Sequence, residues 1–371
     1  MSDNKKFLLI SPKNRTVYNF RGDLIREIQK KGYDVTVTGP DRECIEEIEK
    51  LNVNFIEVPV NKNGTSIFAD LKYCQKLKKV IKELKPDVVL GYTVKPVVYG
   101  TIAARRAKVK NVNCMITGGG YTFTSKSFKA RVLGFIVRTL YKISLSLAKN
   151  VIFQNSDDKA EFVARRLVKE CKCHIVHGSG VNTNHFSVAP LPETPTFFML
   201  SRLLKSKGVS EYLAAAKIVK EKYPSVKFTL LGKYETEMQD AVDREEVERL
   251  VENKTIERYG ETNDVRPYYE SCSVYVLPSY REGTPRTVLE AMAMGRPIIT
   301  TDTNGCRDTV IDNETGFLVP LYDAEALAEK MIYFIEKPED ISVFGERSRK
   351  LCEEKFDVIK VNFDMMKIMN I

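Results

Sequence analysis

The stretch Ser279-Tyr280-Arg281-Glu282-Gly283-Thr284-Pro285-Arg286-Thr287-Val288-Leu289-Glu290-Ala291-Met292-Ala293 decides how the rest of the chain is read. Just before it, Val274-Tyr275-Val276-Leu277 is a short apolar run with β-branched and aromatic residues, which predicts a buried strand. Gly283 and Pro285 then force a tight turn, and Thr287 to Met294 is a run of good helix formers. The layout is strand, sharp loop, helix. In an open α/β sheet ligands bind in the crevice beyond the strand ends. The start of the helix adds unpaired N–H groups and a positive dipole end, which suit a phosphate. Glu282 stands at the mouth of the loop and Glu290 in the first turns of the helix. Two acceptor-only carboxylates beside an anion site make sense when the ligand carries hydroxyls as well as phosphate. The alternative is a surface Glu followed by a helix N-terminal Glu favoured by the dipole.

The 371 residues exceed one ordinary core, so two domains are expected, residues 1–180 and 181–371. Hydrophobic residues make up 43% and charged ones 29%, as in a water-soluble globular protein. The first residues, Met1 to Lys6, are not followed by a long apolar run, so no signal peptide is expected. No apolar stretch approaches the ~20 residues of a membrane span. Eight scattered cysteines fit a reducing cytosol, so a cytoplasmic location is expected. Residues 1–180 carry 33 Lys+Arg against 17 Asp+Glu, whereas the remainder carries 25 against 32. From Arg105 to Lys149 there are ten basic residues and no acidic one. Such asymmetry turns the N-terminal half toward an anionic partner: a membrane, a nucleic acid or a phosphorylated substrate.

Strand-like runs at Phe7–Ile10, Val35–Thr38, Asn54–Val58 and Pro86–Leu90 alternate with helical spacing at Leu24–Ile28, Asp41–Leu51 and Leu71–Leu84. That alternation predicts an α/β class with parallel, doubly wound sheets. Phe128 to Leu147 reads as a basic amphipathic helix. It either packs on the sheet with a solvated basic face or lies on a membrane surface. Val151–Phe153 and Ile175–Val176 close the first domain, and His177 to Pro195 reads as the linker. The second domain opens at Phe197-Phe198-Met199-Leu200, with further strands at Val226–Leu231, Val274–Leu277, Pro297–Thr300 and Gly316–Val319.

Arg202 and Lys207 follow the first strand of the second domain, where guanidinium and ammonium could both reach a diphosphate. No Asp-x-Asp follows an apolar strand. Asp157-Asp158 reads as a helix-cap pair. Phosphate charge would then be met by Arg202, Lys207 and the N–H groups around Thr287 and Val288, with no metal and no cofactor. Cys171-Lys172-Cys173-His174 with His177 matches no zinc spacing.

Glu282 and Glu290, set in Glu-Gly-x-Pro and a helix running to Gly295-Arg296-Pro297, resemble glycosyltransferase family 4. The resemblance is strongest over residues 195–320. It implies a GT-B fold of two Rossmann-like domains with parallel sheets facing a cleft, and the last helix packing back on the first. It implies retaining transfer of a hexose or N-acetylhexosamine from a UDP-sugar. Arg202, Lys207 and Glu282 would be catalytic, with Glu282 on the donor sugar's hydroxyls and Glu290 on the ribose. Gly208, Thr262, Asp264, Gly283, Thr284, Pro285, Thr287 and Val288 would complete the donor site. Tyr18-Asn19-Phe20-Arg21, the glycine run Gly118-Gly119-Gly120-Tyr121 and Gly305-Cys306-Arg307 are similar to a bacterial branch. That branch includes the N-acetylgalactosaminyltransferases acting on undecaprenyl-diphosphate sugars. Asn14, Tyr18, Arg21, Gly118, Gly119, Gly120 and Tyr121 are then expected on the acceptor or sugar side. Many family members carry a histidine in the later loop. This chain has none there, so no catalytic histidine is carried over. The implied partners are a UDP-sugar, a polyprenyl-diphosphate-linked glycan and the anionic inner face of the cell membrane, with no nucleic acid. A nucleotide-sugar epimerase would need acid/base groups at C2, which are not evident. A nucleic-acid binder would need aromatics interleaved with basic residues on exposed strands.

Overall fold

The structure, a computed structural model, describes residues 4–61, 64, 66–118, 128–235, 238 and 240–371, with backbone alone for 128–133. It divides into two compact units, residues 1–179 with 360–371, and residues 180–359.

The first unit alternates β1 (Lys5–Ile10), α1 (Asn14–Lys30), β2 (Tyr33–Gly39), α2 (Ile45–Glu49), β3 (Asn54–Glu57), α3 (Ile67–Leu84) and β4 (Val88–Tyr92). A π turn at Pro96–Gly100 then leads into α4 (Thr101–Arg106), β5 (Asn111–Ile116), α5 (Phe128–Leu147), β6 (Asn150–Phe153), α6 (Ser156–Ala164) and β7 (Cys173–Ile175). Among the described residues the strands form one seven-stranded sheet, β3-β2-β1-β4-β5-β6-β7, with every pairing parallel. Alternation along β1 sets the two faces. Phe7 and Leu9 meet Val17, Leu24 and Ile25 of α1 in one core. Leu8 and Ile10 meet Tyr73, Leu77 and Ile81 of α3 and Ala103 and Ala104 of α4 in another. α5 continues that second layer through Tyr141 and Leu145.

The second unit runs β8 (Thr196–Leu200), α7 (Val209–Lys222), β9 (Lys227–Leu231), α8 (Arg244–Glu252), β10 (Glu257–Tyr259), α9 (Arg266–Glu270) and β11 (Val274–Leu277). It continues through α10 (Arg286–Ala293), β12 (Ile298–Thr301), β13 (Gly316–Val319), α11 (Ala324–Glu336) and α12 (Glu339–Leu351). Its sheet has the order β10-β9-β8-β11-β12-β13, again parallel throughout. The last helix, α13 (Val358–Met369), contributes Met365, Met366 and Met369 to the core of the first unit. The fold is GT-B, two parallel-sheet Rossmann-like units.

The structure differs from the sequence reading at several elements: β10 and α12 were not marked off in the sequence, and three others differ for reasons visible in their contacts. The helix expected from Asp41 to Leu51 shrinks to α2. Asn14 Nδ2 clasps the carbonyls of Asp41 and Glu43, each at 2.8 Å, and Cys44 is left-handed at φ 55°, so residues 41–44 stay a loop. The helix expected from Leu71 begins at Ile67, where Ser66 Oγ caps the Ala69 N–H. β5 was not anticipated, because Asn111 and Asn113 interrupt its apolar pattern. Asn113 is fully buried and donates to the Val89 carbonyl at 3.3 Å and to Asn111 Oδ1 at 3.1 Å.

Candidate active site

In the second unit β8 and β11 are neighbours from which the chain winds in opposite directions, which opens a crevice beyond their ends. The loop after β8 is Ser201 to Gly208, and the loop after β11 is Pro278 to Pro285. They are sewn together. Tyr280 donates its N–H to the Ser206 carbonyl at 3.0 Å, and Ser279 Oγ donates to the same oxygen at 3.2 Å. Gly208 lies at φ 74°, and a Cβ there would sit 2.0 Å from the Pro278 carbonyl oxygen, so only glycine allows the approach. Across this seam Lys207 Nζ donates to Glu282 Oε1 at 2.5 Å, and Ser279 Oγ reaches the same oxygen at 2.8 Å. Both charged side chains are mostly buried, 22% and 16% exposed. A third loop backs the seam. Glu282 donates its N–H to the Asn304 carbonyl at 3.1 Å. Gly305, at φ 78°, packs so closely that a Cβ would come 2.4 Å from the carbonyl oxygens of Glu282 and Gly283. Pro285 then caps α10.

Glu290 lies one turn into α10. Arg286 Nε donates to its Oε1 at 3.1 Å, and the Tyr269 hydroxyl from α9 donates to its Oε2 at 3.1 Å. Burial pushes the Glu290 carboxyl above the usual carboxylate range, and Arg286 and Tyr269 pull it partly back. The Val288 N–H already bonds the Pro285 carbonyl at 3.1 Å. Helix geometry therefore leaves the donors of Arg286 and Thr287 at this N-terminus for a ligand.

Other expected residues stand apart from this pair. The Arg202 side chain is 51% exposed, with Nη1 3.8 Å from Glu235 Oε1 and 3.5 Å from Met238 Sδ. Thr262 Oγ1 caps the Asp264 N–H at 3.2 Å. Arg266 grips both Asp264 carboxylate oxygens, at 2.9 and 2.8 Å, and draws that carboxyl down to about 2. Thr284 is half-buried within the Glu282 loop.

The first unit has its own switch point at the paired strands β1 and β4, after which the chain passes to α1 on one face and to α4 on the other. There the Tyr92 hydroxyl lies 2.6 Å from Ser11 Oγ and 2.7 Å from Thr16 Oγ1. Arg21 is 3% exposed, its guanidinium 5.3 Å above the Tyr92 ring and 3.0 Å from Met115 Sδ. The Tyr18 hydroxyl is pushed up to about 12 by burial and by Cys44. Asn14 is buried as the clasp on the 41–43 loop. Gly118 follows β5 with φ 115°. Gly119, Gly120 and Tyr121 lie outside the described residues.

Sequence reasoning missed Ser279, Tyr269, Arg286 and Tyr92. A tyrosine beside an apolar strand reads as core, and Tyr269 is indeed fully buried, yet its hydroxyl ends on Glu290. The Gly295-Arg296-Pro297 arginine also proves structural. Arg296 is 1% exposed and bonds the carbonyls of Tyr269, Ala189, Met294, Pro190 and Glu270. Among the described residues no three His, Cys, Asp or Glu side chains converge as a metal site, and no helix is long and apolar enough to cross a membrane.

Residues 181–351 match the family model of glycosyl transferases group 1, and residues 6–155 match that of glycosyl transferase 4-like proteins. The chain is 27% identical over 341 residues to the N,N'-diacetylbacillosaminyl-diphospho-undecaprenol alpha-1,3-N-acetylgalactosaminyltransferase of Campylobacter jejuni, covering 88% of each. It is 27% identical over 369 residues to the capsular polysaccharide biosynthesis glycosyltransferase CapM of Staphylococcus aureus, covering 96% of this chain and 94% of that one. Anabaena Alr3699/HepE, solved in complex with UDP and glucose, superposes over 99% of each chain with a TM-score of 0.80 at 17% identity, a likeness of fold.

Proposed function

The chain belongs to the glycosyltransferases, its two halves matching the group 1 and 4-like families, and from that premise we propose a retaining enzyme using a UDP-sugar. It would move a hexose or N-acetylhexosamine onto a polyprenyl-diphosphate-linked glycan in bacterial polysaccharide assembly. The observation that carries the reading is the Lys207–Glu282 pair at the switch point of the second unit. It presents one cation and one hydroxyl-acceptor to the same small volume. In this reading the donor diphosphate takes Lys207, Arg202 and the N-terminus of α10, and these fixed charges stabilise the leaving group as the anomeric bond breaks. Glu282, released from Lys207, accepts from the sugar hydroxyls, and Glu290 accepts from the ribose. Fixed cations and backbone donors carry the charge without a metal. The acceptor hydroxyl attacks from the side the diphosphate leaves, which retains the anomeric configuration. The Campylobacter and Staphylococcus relatives support the lipid-linked acceptor and the polysaccharide setting. A lipid-linked acceptor in turn favours work at the inner membrane face, with the exposed Phe135, Ile136 and Ile143 of α5 toward the lipid.

The test is transfer from a panel of UDP-sugars to an undecaprenyl-diphosphate N-acetylhexosamine, with the product read by mass and by its anomeric proton coupling. An α-linked product formed from one α-UDP-sugar in excess EDTA is the expected result. A β-linkage, or a loss of turnover that Mg²⁺ or Mn²⁺ restores, would contradict the mechanism.

A further inference from the structure

The acid-free span Arg105 to Lys149 draws attention to α5, but the stronger interaction surface lies on α3. Its inward face is apolar, with Tyr73, Leu77 and Ile81 in the core. Its outward face divides into two zones. At the start Ile67, Phe68 and Leu71 are 62%, 87% and 51% exposed. Further along, Lys72, Lys76, Lys79 and Lys82 are all exposed at helical spacing. The carboxylate of the first turn is turned inward and neutralised. Asp70 is buried, receives Lys95 Nζ at 2.5 Å and the Tyr99 hydroxyl at 3.1 Å, and so pins the apolar turn to the segment after β4. Among the described residues none of the four lysines has an ion-pair partner. α3 therefore shows three large apolar side chains on a rigid turn, followed by a stripe of ammonium groups whose one exposed carboxylate is Glu83, at the far end of the helix beside Lys82. α5 lies in the same layer and adds Phe135, Ile136 and Ile143.

We propose that the outward face of α3 is the element by which this protein docks on an anionic lipid surface, Ile67, Phe68 and Leu71 entering the acyl boundary and the lysines meeting headgroup phosphates. An interfacial helix has this composition, apolar side chains beside a Lys-rich polar face. The charge complementarity selects lipid carrying net negative charge, and the apolar turn selects a bilayer over a soluble polyanion. All helices of the layer start at the end of the sheet where the strands finish, so the wedge stands at the edge where the switch point of the first unit lies. The inference rests on the lipid-linked acceptor for its purpose but not for its measurement.

The experiment is co-sedimentation of the full chain with phosphatidylglycerol-containing or purely phosphatidylcholine vesicles at low and high salt, beside UDP-sugar hydrolysis. Wild type is expected to bind the anionic vesicles strongly at low salt, with a smaller salt-resistant part from the apolar turn that the phosphatidylcholine vesicles share. Lys72→Glu, Lys76→Glu and Lys79→Glu together should lower that binding at least tenfold with hydrolysis unchanged. Ile67→Ser, Phe68→Ser and Leu71→Ser together should keep low-salt binding and lose the part that survives high salt, where screening shortens the Debye length to a few ångströms. Equal partitioning of wild type and both triple variants would overturn the proposal. So would duplex DNA that binds the lysine face and displaces it fully from vesicles. Vesicle binding without hydrolysis of any UDP-sugar would sink the transferase reading and leave the docking surface standing.

Discussion

Glu290 is the residue where burial, charge and ligand chemistry meet. Its carboxyl is raised by burial and steadied by Arg286 and Tyr269. A carboxylate whose folded value lies above its unfolded one loses stability as pH rises from the usual carboxylate range through the raised value. In the proposed function ligand binding runs the other way, because ribose hydroxyls on Glu290 would need the ionised acceptor. Donor affinity is expected to fall as pH drops into a window above that of an ordinary glutamate. Glu290→Gln should flatten this dependence. At neutral pH it should weaken UDP binding about ten- to a hundredfold, since each charge-assisted hydrogen bond contributes roughly 1.5–3 kcal/mol. Calorimetric titration of UDP into both proteins from pH 5 to 8 checks it, and parallel curves would remove Glu290 from the ribose. At this scale the sequence showed the two acceptors but not their partners. Lys207 and Glu282 stand 75 positions apart, and only the adjacency of β8 and β11 brings them together.

Elements decide whether those partners hold. The loop carrying Glu282 is set by two glycines in other loops, Gly208 against Pro278 and Gly305 against Glu282 and Gly283. Gly305→Ala would meet a left-handed backbone and two carbonyl oxygens at once, with about 1 kcal/mol of backbone strain before any clash. The expected outcome is a melting temperature lowered by a few degrees and turnover lowered tenfold or more, because the Glu282 loop moves. A variant with wild-type turnover would show that the loop tolerates the shift. The strand-loop-helix of residues 274–293 was legible because its glycine, proline and apolar run agree. α3 was not legible as a surface. Asp70 stands just ahead of its lysines in sequence, and nothing local tells that this charge is consumed by Lys95, 25 residues on. β5 was hidden by two asparagines whose amides find partners distant in sequence, Asn111 on the Met369 carbonyl of α13 and Asn113 on the Val89 carbonyl of β4.

At the scale of the molecule, alternating apolar runs and helical spacing were enough for two parallel sheets, since that alternation leaves few other topologies. The charge split between residues 1–180 and the rest separates a basic unit from an acidic one. The proposed function accounts for it with a donor site in the second unit and an anionic partner for the first. The central claim is that the Lys207–Glu282 seam holds a UDP-sugar and stabilises its departing diphosphate. Its most direct test is the rate of UDP release from UDP-N-acetylhexosamine with lipid-linked acceptor present, in wild type and in Lys207→Ala. Removing one preorganised donor from a developing anion lowers turnover by about 10²- to 10³-fold. A loss of that size with unchanged melting is the expected result, and equal rates in the two proteins would contradict the claim.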